Sequence, residues 1–179
     1  MNAEGNVGEI LFDFQFPAKT PWQIVNDDVM GGISCSRFEV TRNGTAIFHG
    51  EVSLANQGGF ASVRSQPARH DLTGCDAFVI RVRGDGHRYK FTVRTEAGFS
   101  APLYQSTFAT KRGEWEEHRL PFREFVPTFR GRVLTGVPPL DPAQVMSVGF
   151  LISDRQAGAF QLEIKSIRAI CGSTADDRS

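Results

Sequence analysis

Short stretches in which apolar and polar residues alternate, broken by Gly, Pro, Asn or Asp, constrain the fold of this chain more than any other feature. Side chains of a β-strand point alternately to opposite faces, so the pattern is typical of half-buried strands. Helical periodicity is almost absent. About ten such stretches predict an all-β fold, an antiparallel two-layer sandwich or a barrel. They are ILFDFQF, SRFEVTR, TAIFHGEVSL, GFASVRS, AFVIRVR, YKFTVRT, YQSTFAT, WEEHRLPF, SVGFLIS and AFQLEIKSIRAI.

The length and the apolar content predict one domain. A chain of 179 residues with 40% hydrophobic content can fill a single core. We expect this domain to occupy residues 9–171, with flexible termini at 1–8 and 172–179, because the last residues, GSTADDRS, are small and charged. The proline-rich stretch VPTFRGRVLTGVPPLDPAQV is expected to be a long surface connection, with one turn of helix at DPAQV.

The charge balance excludes partners that need a strong global field. Lys+Arg and Asp+Glu both number 20, so the net charge is zero and no nucleic-acid partner is expected. No stretch approaches the roughly 20 apolar residues that span a bilayer. The N-terminal residues resemble neither a signal peptide nor a transit peptide, which predicts a cytoplasmic location. Cys35, Cys75 and Cys171 lie far apart, and we expect three reduced, mostly buried thiols.

Two hairpins are predicted from turn residues. Asn43 and Gly44 are the residues of a type I′ turn, which would join SRFEVTR to TAIFHGEVSL. The second hairpin would join AFVIRVR to YKFTVRT across residues 84–87. The alternation places the apolar residues of both strands on the core face and their basic residues on the opposite face.

This opposite face would carry a group of cations that form a candidate partner-binding surface: Arg64, Arg81, Arg83, Lys90 and Arg94. The simplest interpretation is a solvated sheet face. Like charges on neighbouring strands repel, however, so their clustering calls for an acidic neighbour or an acidic partner.

The stretch WQIVNDDVMGGIS, together with the glycine pair of NQGGF, is the second candidate. Its carboxylates could hold a cation, its backbone N–H groups could bind an anion, or the stretch could be a turn. Glycines permit positive φ or close approach of chains, and Asn and Asp side chains accept hydrogen bonds from turns. We therefore expect an architectural motif that is also a possible ligand loop, made of Trp22, Asn26, Asp27, Asp28, Gly31, Gly32, Gly58 and Gly59.

Residues suited to catalysis or to metal binding do not occur at the required spacings. The four histidines lack HxH or HExxH spacing, and no nucleophile or phosphate-binding motif is present. We expect no catalytic residue, no metal and no cofactor. The aromatic residues Trp22, Tyr104 and Trp115 could form a sugar-stacking platform, but core positions are the more common use of such residues. The RGD tripeptide at Arg83–Asp85 ends a predicted strand at a tight turn.

Several motifs occur in an order that resembles the complex I intermediate-associated protein 30 family. They are WQIVNDDVMGGIS, FHGEVSLANQGGFASVRS, VRGDGHRYKFTVRT, WEEHRLPFREFVPTFRG and VGFLISDRQAGAFQLEIKSI, and the resemblance extends from about Leu11 to Ile170. It implies a jelly-roll β-sandwich of the galactose-binding-domain-like type. For mitochondrial members it implies a chaperone-like role in assembling respiratory NADH dehydrogenase, without catalysis. This chain resembles a stand-alone bacterial-type member.

Two functions from different classes follow. The first is a non-catalytic domain that binds a protein partner, for which the family suggests a subunit or an intermediate of a membrane respiratory complex. The second is a carbohydrate-binding module, because folds of this type serve many functions. The residues contain no constellation that supports an enzyme.

Overall fold

The computed structural model describes residues 8–16, 21–27, 31–98 and 100–172, which form two antiparallel sheets packed face to face. The predicted flexible segments 1–8 and 172–179 lie almost wholly outside the described residues. The strands are β1 (Gly8–Asp13), β2 (Trp22–Asn26), β3 (Cys35–Val40), β4 (Ala46–Val52), β5 (Ala61–Ser65), β6 (Cys75–Arg83), β7 (Arg88–Arg94), β8 (Leu103–Ala109), β9 (Trp115–Pro121), β10 (Val126–Phe129), β11 (Arg132–Val133), β12 (Ser147–Ile152) and β13 (Gly158–Cys171).

Sheet one has the strand order β3-β4-β13-β6-β9, and β1 pairs with the second half of the long strand β13. Sheet two has the order β11-β10-β8-β7-β12-β5-β2. Some neighbours are consecutive in the chain, such as β3 and β4, whereas others, such as β13 and β6 or β12 and β5, come from distant parts of the sequence, as is common in sandwiches. Short 3-10 turns lie at Ala55–Gln57, Phe122–Glu124 and Pro142–Gln144.

The core lies between the two sheets and is rich in aromatic residues. Phe78 on β6 and Phe91 on β7 are both fully buried, and their ring centroids lie 5.0 Å apart across the layers. Trp22 on β2 stacks on Phe38 of β3 with a centroid distance of 4.8 Å. The predicted alternation is therefore correct in assigning which side chains point inward.

The predicted hairpin across residues 84–87 is wrong. Strand β6 pairs with β13 and β9 in sheet one, whereas β7 pairs with β12 and β8 in sheet two. The segment from Gly84 to His87 therefore crosses from one sheet to the other. Alternation determines which side chains are buried, but two strands that face each other across a core have the same pattern as two strands paired in one sheet.

The other predicted hairpin is present, with a different turn. Strands β3 and β4 pair antiparallel, and the Thr41 N–H donates to the Thr45 carbonyl at 2.7 Å. Gly44 has a φ of +80°, whereas Asn43 does not have the positive φ that a type I′ turn requires. The loop is therefore wider than the predicted two-residue turn.

Three strands occur where no alternation predicts them. Strand β2 is the first part of the WQIVNDDVMGGIS stretch, whose residues predict a turn or a ligand loop rather than a strand. Strands β10 and β11 form a small hairpin inside the proline-rich stretch expected to be a plain connection. The predicted helical turn at DPAQV corresponds to the 3-10 turn Pro142–Gln144, where the Asp141 side chain accepts a hydrogen bond from Ala143 N–H.

The prediction of three reduced thiols is also wrong. Cys75 at the start of β6 and Cys171 at the end of β13 form a disulfide, although 96 residues separate them in sequence. The antiparallel register of β6 and β13 places these two residues opposite each other, which no sequence spacing could indicate. Cys35 is a free thiol, and it is exposed rather than buried.

Candidate functional site

The Asp27 carboxylate joins three segments of chain at one end of the sandwich. Asp27 follows β2 directly and is 1% exposed. Its oxygens accept hydrogen bonds from the Ser34 N–H at 2.9 Å, from the Ser34 hydroxyl at 2.5 Å, from the Gly59 N–H at 2.7 Å and from the Phe60 N–H at 3.3 Å. One side chain thus fixes both the loop before β3 and the loop before β5.

The glycines beside Asp27 make room for its carboxylate. A Cβ on Gly32 would lie 2.4 Å from Asp27 Cγ, and a Cβ on Gly58 would lie 2.6 Å from Asp27 Oδ2. Gly31 has the expected positive φ of +88°, and Gly59 has a φ of +137°. Gly32 itself lies against this side chain rather than against the backbone of another strand.

Hydrogen bonds together determine the direction in which the pKa of Asp27 shifts. Burial alone would raise its pKa, but the Ser34 hydroxyl and the N–H groups of Gly59, Ser34 and Phe60 lower the pKa below its usual value overall. These donors surround the carboxylate, which therefore holds the two loops in place. Within the described chain, no three His, Cys, Asp or Glu residues are grouped as metal ligands. Asp28 lies outside the described residues.

Asn26 extends the same anchor to both sheets. Its Oδ1 accepts hydrogen bonds from the Ser36 hydroxyl at 2.8 Å and from the Ser62 N–H at 3.3 Å. Ser36 belongs to β3 of sheet one, and Ser62 belongs to β5 of sheet two. The NDxVMGGxS and GGF motifs therefore meet at one place, where Asn26 and Asp27 join the layers.

The predicted single basic face does not exist. Because β6 and β7 belong to different sheets, Arg81 and Arg83 point outward from sheet one, whereas Lys90 and Arg94 point outward from sheet two. Arg64 on β5 belongs to the sheet-two group. The two groups lie on opposite sides of the molecule.

Acidic neighbours compensate the sheet-one group. Arg83 donates from Nη2 to Glu163 at 2.5 Å and from Nε at 3.0 Å, and its guanidinium lies 5.0 Å from the Trp115 ring centroid. Arg81 is opposite Glu117 in the β6–β9 register. Glu117 in turn pairs with Arg168 at 3.0 Å. The outer face of sheet one thus alternates in charge.

In the sheet-two group, Lys90 pairs with Asp154 at 3.0 Å. Arg64 and Arg94 lie on the two strands that flank β12, where Gly149 is paired with Arg64 and Ser147 is paired with Arg94. Burial lowers the pKa of both guanidinium groups, and the charge of Arg64 lowers the pKa of Arg94 further.

The aromatic residues do not form a sugar-stacking platform. Tyr104 is 5% exposed, and its hydroxyl donates to the Pro138 carbonyl at 2.8 Å. Trp22 packs among phenylalanines of the core. Trp115 lies on the outer face of sheet one under Arg83, away from the other two.

The structure also shows a partly buried hydrogen-bond network at Asp85, the last residue of the RGD tripeptide. The Tyr89 hydroxyl donates to Asp85 Oδ1 at 2.9 Å, and the Gln161 N–H donates to Oδ2 at 2.8 Å. His87 Nδ1 lies 2.8 Å from the same Oδ2. In the sequence, only the turn residues GDG at positions 84–86 indicate that such a network could form. Both carboxylate oxygens of Asp85 therefore bind groups of the same chain.

The described part of the chain contains no helix long and apolar enough to cross a membrane.

Comparison with known proteins identifies the family. The family profile described as complex I intermediate-associated protein 30 matches residues 12–164. The chain belongs to the complex I intermediate-associated protein 30 family. Curated relatives with this name include a mitochondrial protein of Drosophila melanogaster, 29% identical over 87% of this chain and 60% of its own length. The Mus musculus protein is 28% identical over 82% of this chain and 51% of its own length. The chain thus spans about half the length of the curated relatives it matches.

Solved structures confirm the fold type. A family 11 carbohydrate-binding module of a Clostridium thermocellum cellulosomal cellulase has a TM-score of 0.65 and 13% identity, covering 93% of this chain and 95% of the module. A family 29 carbohydrate-binding module has a TM-score of 0.54 and 12% identity, covering 97% of this chain and 98% of the module. The predicted galactose-binding-like jelly-roll sandwich is therefore correct. At these identities the likeness shows the fold alone.

Proposed function

We propose that this chain is a non-catalytic protein-binding domain that associates with a subunit or an assembly intermediate of respiratory complex I, as a chaperone-like assembly factor. The observation that carries the proposal is the family match over residues 12–164. The site geometry is consistent with it. The carboxylates of buried Asp27 and partly buried Asp85 are groups of the kind used in active sites, but here they serve as hydrogen-bond anchors inside the chain.

Its physical basis would be a rigid sandwich whose outer faces carry fixed charged groups. On sheet one Arg83 pairs with Glu163 and Arg168 pairs with Glu117, and on sheet two Lys90 pairs with Asp154. A fixed surface of this kind can hold a subunit in an intermediate without chemistry, because complementary charge raises the association rate and sets the orientation of a partner.

Affinity capture in the native cell tests this function. A chromosomally tagged protein, isolated from respiring cells, is expected to enrich complex I subunits over an equally tagged unrelated β-sandwich. Deletion of the gene is expected to reduce fully assembled complex I on native gels and to cause subcomplexes to accumulate. Normal assembly in the deletion strain together with no subunit enrichment would contradict the proposal.

Carbohydrate binding is the second candidate, favoured by the polar side chains that cross sheet two in register, such as Gln23, Thr92 and Gln105. The dispersed positions of Trp22, Tyr104 and Trp115 weigh against it, because sugar rings commonly stack on aromatic faces. A glycan array distinguishes the two candidates. Saturable binding of an oligosaccharide, lost on substitution of Gln105, would favour the carbohydrate function.

A cytoplasmic location stays our proposal for this chain. The disulfide between Cys75 and Cys171 weighs against it, because reducing compartments keep thiols reduced. Cell fractionation with thiol trapping before lysis tests both points in one experiment. Recovery of the oxidised protein outside the cytoplasm would overturn the proposed location.

A further inference from the structure

We propose that a cleft of sheet one, where β1, β4 and β13 meet, binds the phosphate group of a small soluble ligand. The cleft has a volume of about 470 Å³ and is lined by Phe14 and Gln15 after β1, by residues 41–44 between β3 and β4, and by Lys165 of β13. We call it the Lys165 cleft. The inference goes beyond the proposed function and does not depend on it, because it concerns a small ligand rather than a protein partner.

The Lys165 cleft exists because two strands share one edge of β13. Strand β4 pairs with β13 as far as Ile164, and β1 pairs with it from Ser166 onward. Between these two ladders, the Phe14 N–H donates to the Lys165 carbonyl at 3.2 Å. The start of β4 and the end of β1 therefore leave an opening beside Lys165. Its volume lies within the range of pockets that hold small organic ligands.

A β-bulge on the other edge of β13 determines the position of Lys165. In the pairing of β6 with β13, Val82 is opposite Ile164 and Arg81 is opposite Ser166, so Lys165 is an extra residue without a partner on β6. Bulges redirect side chains and are over-represented next to active sites. Here the bulge places an exposed lysine in the wall of the cleft.

The loop between β3 and β4 forms another part of the wall, and contacts within the chain hold it in place. Thr41 Oγ1 accepts a hydrogen bond from the Asn43 N–H at 3.2 Å. A Cβ on Gly44 would lie 3.2 Å from Gln15 Cα, so the loop packs closely against the chain that follows β1. Arg42 is thus carried by a loop whose backbone is ordered before any ligand binds, which lowers the entropy lost on binding.

The charge of the Lys165 cleft favours an anion. Its described lining contains two cations, Arg42 and Lys165, and no Asp or Glu. Both side chains are exposed, and neither forms an ion pair with a residue that the structure describes. Glu163, two residues before Lys165, binds Arg83 and the Thr45 hydroxyl instead. Two cations that line one concave surface attract an anion more strongly than either does alone.

The donors of the cleft suit a phosphate monoester. Such a group carries about 1.5–2 negative charges at neutral pH, which matches one guanidinium and one ammonium group. Both cations form charge-assisted hydrogen bonds with phosphate oxygens. The side-chain amides of Gln15 and Asn43 can donate to a further oxygen or to a ligand hydroxyl. Phe14, which is 4% exposed, adds a small apolar surface for the carbon skeleton of the ligand.

Isothermal titration calorimetry at low ionic strength tests the site, with inorganic phosphate and glycerol 3-phosphate as probes. We expect one saturable site for glycerol 3-phosphate, weakened by sodium chloride because salt screens the charges. Lys165→Gln and Arg42→Gln should each weaken binding about fivefold or more. Arg37→Gln removes an exposed cation of the same hairpin that does not line the cleft, and should stay within about twofold of wild type. Binding of neither probe, or equal losses in all three variants, would overturn the site.

An isosteric pair of variants tests the same site without removing a cation. Asn43→Asp places a carboxylate in the lining and is expected to weaken glycerol 3-phosphate binding severalfold. Asn56→Asp makes the same change in net charge at an exposed position beyond the other end of β4 and is expected to have no effect. Circular dichroism establishes that each variant is folded. Equal effects of the two variants would show that net charge alone governs binding and would contradict the site.

Two further probes separate the ligand classes. Succinate is expected to bind more weakly than glycerol 3-phosphate, and tighter binding of succinate would overturn the phosphate assignment. Vesicles that contain phosphatidic acid present the same phosphate group on a lipid. Binding to these vesicles that depends on Lys165, without binding of glycerol 3-phosphate, would overturn the assignment to a soluble ligand. Loss of glycerol 3-phosphate binding in Lys165→Gln and its retention in Lys165→Arg would support the site.

Discussion

Asp27 shows how a single residue can organise a large part of this fold. N–H and O–H groups from two loops take the place of water around its carboxylate. Each well-formed hydrogen bond to a charged group contributes about 1.5–3 kcal/mol to stability. The glycines around it provide space, because Gly32 and Gly58 would clash with it if they carried a Cβ. The stretch expected to be architectural therefore contains an internal anchor at Asp27.

Substitution of Gly32 tests this interpretation. Gly32→Val is expected to lower the free energy of unfolding by more than about 1 kcal/mol, because the new Cβ would push against Asp27 Cγ at 2.4 Å. Urea denaturation gives the measurement. The neighbouring change Ile33→Val, at a side chain that is 60% exposed, should stay within about 0.5 kcal/mol of wild type. Similar stability of the two variants would show that the loop tolerates displacement of Asp27.

Arg83 and Arg81 are neighbours on one strand, yet we expect them to differ in their contribution to stability. Arg83→Gln should cost about 1–3 kcal/mol, because Glu163, whose side chain is 10% exposed, would lose its cation and keep only the Thr45 hydroxyl as partner. Arg81→Gln is the matched control, since Arg81 is exposed, and should be nearly neutral. Thermal melts at neutral pH compare the two, and equal midpoints would contradict the difference.

At the scale of elements, the long strand β13 holds sheet one together. It pairs with β4 along its first half and with β1 along its second, while β6 covers its other edge. The disulfide joins the far end of β13 to the start of β6. The last strand of the domain is thereby fastened to the middle of the chain.

Thiol counting tests this connection. Denatured protein purified without reductant is expected to have one reactive thiol, Cys35, and reduction should raise the count to three. Since the bond closes a loop of 96 residues, its reduction should lower stability by about 2–4 kcal/mol. Cys35→Ser is the control and should not change the stability difference between oxidised and reduced protein. A count of three before reduction would contradict the disulfide.

At the scale of the whole molecule, buried and partly buried titratable groups make the fold sensitive to acid. Asp27 and Asp85 both have lowered pKa values, because hydrogen bonds outweigh the effect of burial. The pKa of His70 is lowered by burial, against the attraction of Glu9. All three groups bind protons more readily in the unfolded chain than in the folded one, so stability should fall as pH falls.

Urea denaturation across pH should show two steps. Stability should first fall below about pH 6.5, where His70 is protonated in the unfolded chain before the folded one. It should fall again below about pH 3.9, where the contributions of Asp27 and Asp85 are lost as pH drops through their lower folded-state pKa values. His70→Gln should remove the first step, and Asp27→Asn should reduce the second. Constant stability between about pH 7 and pH 3 would contradict this assignment.

The sequence by itself determined the all-β class, most of the strands and the choice of inward side chains, because these follow from alternation along single segments. Phe78 and Phe91 lie on the predicted core faces of their strands and are fully buried. The motif order also determined the family. Only the tertiary structure decided which strands share a sheet, since facing and paired strands have the same alternation. Long-range register separated Arg83 from Lys90, paired Cys75 with Cys171 and brought Gly58 to Asp27. These relations depend on how distant segments pack, a property that no local spacing in the sequence encodes.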